Sequence, residues 1–202
     1  MSMLLGLLER DVLEAAQALV GCHLVRGELK ARIVEAEAYR GFDDPGSHAC
    51  KGKTPRNAVM FARPGLAYVY FTYGMHWMLN VSALPNGEAG AVLIRAAQPL
   101  EGIERMFERR PAARRVEDLL SGPAKLTAAF GIDGRHNGLD LFDVSSDLKL
   151  LDRDVEPEIV CGSRIGLQAG KGEDLPWRFC DAKARRWVSR PLPIAMGNVD
   201  PL

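Results

Sequence analysis

The spacing of apolar residues changes several times along the chain, and each change marks an element. From Asp11 to Val20 they recur at helical spacing, with Val12, Ala16, Leu19 and Val20 on one face and Gly21 as a stop. Cys22 to Arg26 and Lys30 to Tyr39, joined at Gly27-Glu28, predict paired strands. Strand side chains alternate faces, so Ile33, Glu35, Glu37 and Tyr39 are expected on one side, with Arg32, Val34, Ala36 and Ala38 opposite. Two carboxylates beside a tyrosine are not what a folding core selects. Gly41 to Arg63 is rich in Gly, Pro and Asp and predicts a loop. A loop of that length in a compact domain is uncommon and usually functional. Leu66 to Phe71 and Trp77 to Ser82, with Tyr73-Gly74 between them, predict a hairpin with a tyrosine near its tip.

A strand is expected at Ala91 to Ala96 and a helix at Leu100 to Arg110, with Ile103, Met106 and Phe107 inward and Pro111 as its end. Pro123 suits the first position of a helix over Ala124 to Phe130, stopped by Gly131. Short strands at Leu148 to Leu151 and Glu158 to Leu167 come next, then a basic segment with Trp177 and Trp187. There is no repeat and no linker. Strands grouped first and helices later predict a single α+β domain over residues 1–202, with a curved, mainly antiparallel sheet, packed helices and a protruding β-hairpin.

Composition narrows the class. With 202 residues, 47% hydrophobic and 26% charged, the chain is neither disordered nor membranous. Met3 to Leu8 is too short and lacks the basic flank of a signal peptide, so a cytoplasmic protein is expected. The four cysteines form no C-x-x-C pair and read as free thiols. Cys22, His23, His48 and Cys50 lack the short paired spacings of structural zinc, so no metal is expected.

Lys+Arg and Asp+Glu number 26 each, which argues weakly against nucleic acid, but their distribution is uneven. Pro45 to Gly87 has no acid and contains Lys51, Lys53, Arg56 and Arg63. Asp140 to Glu158 holds seven acids and two bases, and Arg164 to Arg190 seven bases and three acids. A neutral chain can present a basic face in this way.

Gly46 to Thr54 resembles a phosphate loop but has one residue too many, with Pro55 after it and no strand before it. The Glu35 and Glu37 pair also fits a sugar hydrolase. Residues two apart on a strand lie roughly 6.6 Å apart along the backbone. Retaining enzymes need about 5–5.5 Å and inverting ones about 6.5–9.5 Å, so spacing alone does not exclude this. It leaves the aromatic hairpin and the basic loop unexplained. A lesion-recognition module without chemistry is a further alternative, in which a strand carboxylate has no use. Tyr73, at a hairpin tip with little of its own domain to pack on, suggests a wedge for a base stack.

Glu37-Ala38-Tyr39, His48, Thr54-Pro55-Arg56-Asn57, Tyr68-Val69-Tyr70, Tyr73-Gly74-Met75, Asn80 and Leu93-Ile94-Arg95-Ala96 resemble, in order and spacing, the alkyladenine (3-methyladenine) DNA glycosylase family. The likeness continues through Ser121 to Leu126, weakens after about Asp133, and departs from the pattern at Ala49 to Lys53. The resemblance implies a monofunctional base-excision-repair enzyme that flips an alkylated or deaminated purine from duplex DNA and hydrolyses its N-glycosidic bond. It implies Glu37 as general base; Glu35, two residues earlier on the same strand, is read as support from its place alone. Tyr39, His48 and Tyr70 would line the base pocket, Asn80 would crowd the guanine amino group, Tyr73 would intercalate, and Arg95 would hold DNA near the lesion. Arg56, Lys125, Arg178 and Arg186 are candidate phosphate contacts by charge and location. The expected partner is damaged double-stranded DNA, met by a monomer with no cofactor and no membrane association.

Overall fold

The structure, a computed structural model, describes residues 3–192. The one-domain expectation over 1–202 extends beyond these at both ends. The described residues form an α+β unit around a curled antiparallel sheet of eight strands, ordered β3 (Ala67–Thr72), β4 (His76–Ser82), β5 (Ala91–Glu101), β2 (Leu29–Tyr39), β1 (His23–Arg26) and β6 (Leu148–Leu151), with β8 (Arg178–Asp181) also paired to β2 and β7 (Ile159–Gly162) paired to β8.

The chain starts with two helices, α1 (Met3–Leu8) and α2 (Val12–Leu19). The Asp11 carboxylate caps α2, accepting from the Leu13 and Glu14 N–H groups at 2.7 and 3.2 Å. Strands β1 (His23–Arg26) and β2 (Leu29–Tyr39) come next. β2 is central. β5 (Ala91–Glu101) runs along one side of it, while β1 covers its first part on the other side and β8 (Arg178–Asp181) its last. The hairpin is β3 (Ala67–Thr72) and β4 (His76–Ser82), in register from Ala67 opposite Val81 to Thr72 opposite His76. Its three-residue loop turns at Tyr73 (φ 51°) and Gly74 (φ 68°), both left-handed as the central pair of a type I′ turn requires, with the Met75 N–H donating to the Thr72 carbonyl at 3.2 Å.

One face of the sheet carries the main core. Ile33, Ala36, Val69, Leu79, Val81, Val92 and Ile94 meet buried residues of α1, α2, α3 (Ile103–Arg109) and α4 (Pro123–Phe130) there. The opposite face holds a smaller cluster of Ala49, Met60, Phe61, Tyr68, Ala89 and Ala91. Alternation explains the split: Val69 and Val92 face the helices, while their neighbours Tyr68 and Ala91 face away. No helix among the described residues is long and apolar enough to cross a membrane.

Four expectations change. The alternation along β2 breaks at a β-bulge, where the register with β5 slips around Val34 and Glu35. Ile33 therefore joins Ala36 and Ala38 in the main core, Val34 leaves them for a separate cluster with Ala96 and Ala184, and Glu35, Glu37 and Tyr39 share the other face. β5 continues past Ala96 to Glu101, with Pro99 opposite Ala31 at a second register shift. The helix expected from Leu100 consequently starts at Ile103, after a left-handed Gly102 (φ 71°) whose added Cβ would meet Leu29 Cδ2 at 2.5 Å. Third, the strand expected over Glu158 to Leu167 is only β7 (Ile159–Gly162), beyond which the chain turns into the site. Fourth, the basic C-terminal segment contains β8, and all four of its residues are buried. The remaining strand, β6 (Leu148–Leu151), lies as expected.

Candidate active site

The face of the sheet away from the helices opens into a cavity of about 310 Å³. Tyr39 from β2, Tyr70 from β3, Asn80 from β4 and Arg95 from β5 project into it, and His48 and Ile165 reach it from loops. Each strand contributes through alternation: Tyr68 lies opposite Asn80 and Tyr70 opposite Met78 in the ladder, all on the cavity side.

Glu37 lies directly behind this lining, with no exposed surface. Its Oε1 accepts the Ile165 N–H at 2.7 Å. Its Oε2 accepts the Tyr39 hydroxyl at 2.8 Å and Arg95 Nη1 at 3.2 Å. All three donors belong to cavity-lining residues, so the carboxylate forms the layer behind the cavity floor. Burial raises the Glu37 pKa above its ordinary 4.5, against the pull of Arg95, the Ile165 N–H and Tyr39. Burial and the Glu37 charge push the Tyr39 hydroxyl well above 10, so it remains a proton donor in its bond to Glu37.

The aromatic wall is built on His48, whose Nδ1 is 2.9 Å from the Tyr68 hydroxyl and whose ring meets Tyr70 edge-on at 4.5 Å. Burial and the nearby Arg56 guanidinium hold His48 below its ordinary 6.5, so it is neutral at pH 7. The Asn57 amide fixes the loop that carries His48 by donating to the carbonyls of His48 and Gly52 at 2.8 and 3.0 Å. Asn80 is 3% exposed and its Nδ2 donates to the Tyr68 carbonyl at 3.1 Å, which sets the orientation of its amide.

The family model for methylpurine-DNA glycosylase matches residues 6–185. A protein of Burkholderia lata called "Putative 3-methyladenine DNA glycosylase" is 48% identical over 163 residues, 80% of this chain and 77% of its own. Proteins with the same name from Rhodopseudomonas palustris (46% over 184 residues, 91% and 86%) and Chlorobium luteolum (49% over 152, 74% and 75%) are similar to the same extent. The chain belongs to the methylpurine-DNA glycosylase family.

In this glycosylase the structure gathers Glu37, Tyr39, His48, Tyr70, Asn80 and Arg95 at one cavity. Tyr73 lines its rim and is 82% exposed. Arg95 faces inward and is ion-paired with Glu35 and Glu37, at 3.3 and 3.2 Å. Of the proposed phosphate contacts, Arg56 is exposed, donates to the Phe71 carbonyl at 3.1 Å and stands 5.7 Å over the Tyr70 ring. Lys125 is half-buried, its Nζ 3.1 Å from Ser121 Oγ. Arg186 is exposed but paired with Glu117.

Arg178 is a correction. It is 5% exposed and donates to Glu35 at 2.7 Å, because β8 is an interior strand rather than part of a basic surface, and it is not free to meet a phosphate.

Several site residues carry no local signal. Arg164 and Asp44, both side chains fully buried, form a two-pronged ion pair at 2.7 and 2.8 Å. Arg164 also donates to the Ala38 carbonyl at 3.1 Å and lies between the rings of Tyr39 and Trp177, 4.7 and 4.9 Å from their centroids. It thereby holds Tyr39 from behind and places the next residue, Ile165, against Glu37. Tyr68, the hydrogen-bond partner of His48, stands in the Tyr68-Val69-Tyr70 motif, but nothing in that motif marks it as a site residue.

Proposed function

We propose that the protein is a monofunctional, monomeric DNA glycosylase that extrudes an alkylated or deaminated purine from duplex DNA and hydrolyses its N-glycosidic bond with a water activated by Glu37. The observation that carries this reading is the buried Glu37 carboxylate, held behind an aromatic cavity by three donors on the cavity floor. A carboxylate offers about four acceptor positions, and three are filled, leaving one on Oε1 to receive a proton from water. The water oxygen attacks the anomeric carbon, its proton passes to Glu37, and the bond electrons leave with the base. The negative charge also favours the positively charged sugar of the transition state.

Tyr39, Tyr70 and His48 offer aromatic surface to a flipped base, with cation–π attraction of about 0.5–2 kcal/mol for a cationic alkylpurine. Tyr73, exposed on the strained backbone of a hairpin tip at the cavity rim, fits a wedge that fills the vacated stack. Exposed Lys51, Lys53 and Arg56, on a segment without acids, suit phosphates beside the cavity.

The test is excision from duplexes each carrying one lesion (7-methylguanine, 3-methyladenine analogue, hypoxanthine or ethenoadenine), with alkali cleavage revealing abasic sites. Release of at least one of these bases supports the reading. Binding without release of any would leave a recognition module, and release from free nucleosides alone a sugar hydrolase.

A further inference from the structure

The second carboxylate on β2 has a role that the hydrolytic step does not use. Glu35 is fully buried. Its Oε1 accepts Arg178 Nε at 2.7 Å and the Ser189 hydroxyl at 2.8 Å, and lies 3.3 Å from Arg95 Nε. Its Oε2 accepts the Ser189 N–H at 2.6 Å. Arg178 donates onward to the carbonyls of Arg190 and Pro191, at 2.9 and 3.3 Å. Arg95 Nε also donates to Ser189 Oγ at 3.3 Å, while its Nη1 reaches Glu37. A continuous chain of bonds thus runs from residues 189–191 through Glu35 and Arg95 to Glu37. The family match ends at residue 185, so this segment lies outside it.

A guanidinium is a rigid planar fork, so holding one edge sets where the other points. The Nε edge of Arg95 is held by Glu35 and Ser189 together, and among the described residues its Nη1 is the only cationic group hydrogen-bonded to Glu37. Two carboxylates and two guanidiniums balance in this interior (Glu35, Glu37, Arg95 and Arg178), so the cluster contains its own counter-charges.

We propose that Ser189, locked onto Glu35, is a positioning residue: the segment 189–191 is a latch that holds Arg95 in the orientation in which it grips Glu37. This rests on the reading of Glu37 as the base.

Ser189→Ala tests it without changing a charge. Facing Glu37 are Arg95, the Ile165 N–H, Tyr39 and Glu35, with Tyr70, Cys180 and, across the ladder, Arg178 also near, and none of these is altered. The loss of one hydroxyl bridge should lower kcat roughly three- to tenfold with KM for lesion duplex unchanged. Because Arg95 pulls the Glu37 pKa down, a loosened Arg95 should also move the acid limb of the kcat profile to higher pH. Ser189→Thr, which keeps the hydroxyl, should restore both. Glu35→Gln should lower kcat further, and adding Ser189→Ala to it should do little more, since both act through Arg95. A lowered Tm with kcat and the acid limb unchanged, or losses that multiply in the double variant, would overturn the latch and leave a plain anchor. A wild-type protein that releases no base would instead count against the glycosylase reading.

Discussion

Replacing Glu37 by glutamine preserves the shape of the side chain and removes its charge, and the surrounding donors dictate the consequence. In the native site Oε1 receives the Ile165 N–H at 2.7 Å, and Oε2 receives the Tyr39 hydroxyl at 2.8 Å and Arg95 at 3.2 Å. Glutamine has one oxygen, so its NH2 must face a former donor. The Tyr39 hydroxyl can turn and accept, whereas a peptide N–H and a guanidinium cannot. The amide oxygen should therefore stay on Ile165, and Arg95 should lose this partner while keeping Glu35 at 3.3 Å. One unpaired buried donor costs about 1–3 kcal/mol, or roughly 2–12 °C of Tm at this size, against a typical stability of about 5–15 kcal/mol. The fold survives. A positioned general base contributes about 10²–10⁴ in rate, equivalent to about 2.7–5.4 kcal/mol. Single-turnover base release from a one-lesion duplex, read by alkali cleavage, should fall at least a hundredfold while equilibrium binding to that duplex changes little. Release within tenfold of wild type would remove Glu37 from the mechanism. Binding and release lost in parallel would make Glu37 a structural support of the cavity.

The same geometry predicts four other outcomes. Tyr73→Ala should leave Tm unchanged, since the side chain is 82% exposed, and should slow excision from matched duplex more than from mispaired or single-stranded substrate, where unstacking is already advanced; equal losses on all substrates would refute the wedge. Asn80→Ser removes the bond to the Tyr68 carbonyl, at about 1 kcal/mol in stability, and opens space on the cavity wall. Release of guanine-type bases should rise relative to adenine-type ones, and a flat ratio would show that the filter lies elsewhere. The kcat profile should rise with pH through an inflection above 4.5, because burial raises the Glu37 pKa and only its ionised form accepts a proton; an inflection at or below 4.5 contradicts this. The same raised pKa stabilises the fold below the unfolded value, and that contribution is lost as pH rises through the folded one. The stability deficit of Glu37→Gln should accordingly narrow between acid and neutral pH, as read by thermal melts.

The legible and illegible parts of the sequence divide along a physical line. Residues on regular strands are legible. Two-residue alternation places Glu37 with Tyr39, and Asn80 with Met78 opposite a core side of Leu79 and Val81, and the structure agrees. Alternation fails at Val34-Glu35, where the bulge inserts half a period and returns Ile33 to the core. Nothing in the residues near Val34 announces that slip, because it is set by pairing with β5, some sixty residues away. Arg178 fails for a related reason. A charged residue in a basic run is normally solvated, but all of β8 is buried, and the charge is balanced by Glu35, 143 positions earlier. Arg164 and Asp44 are 120 positions apart, and each alone is an ordinary loop residue. Short-range pattern therefore reveals the groups that face the cavity, whereas the groups that orient them are fixed by charge pairs closed over long loops. Those pairs exist only once the chain has folded, and the orientation of the Glu37 carboxylate depends on them as much as on its place in the strand.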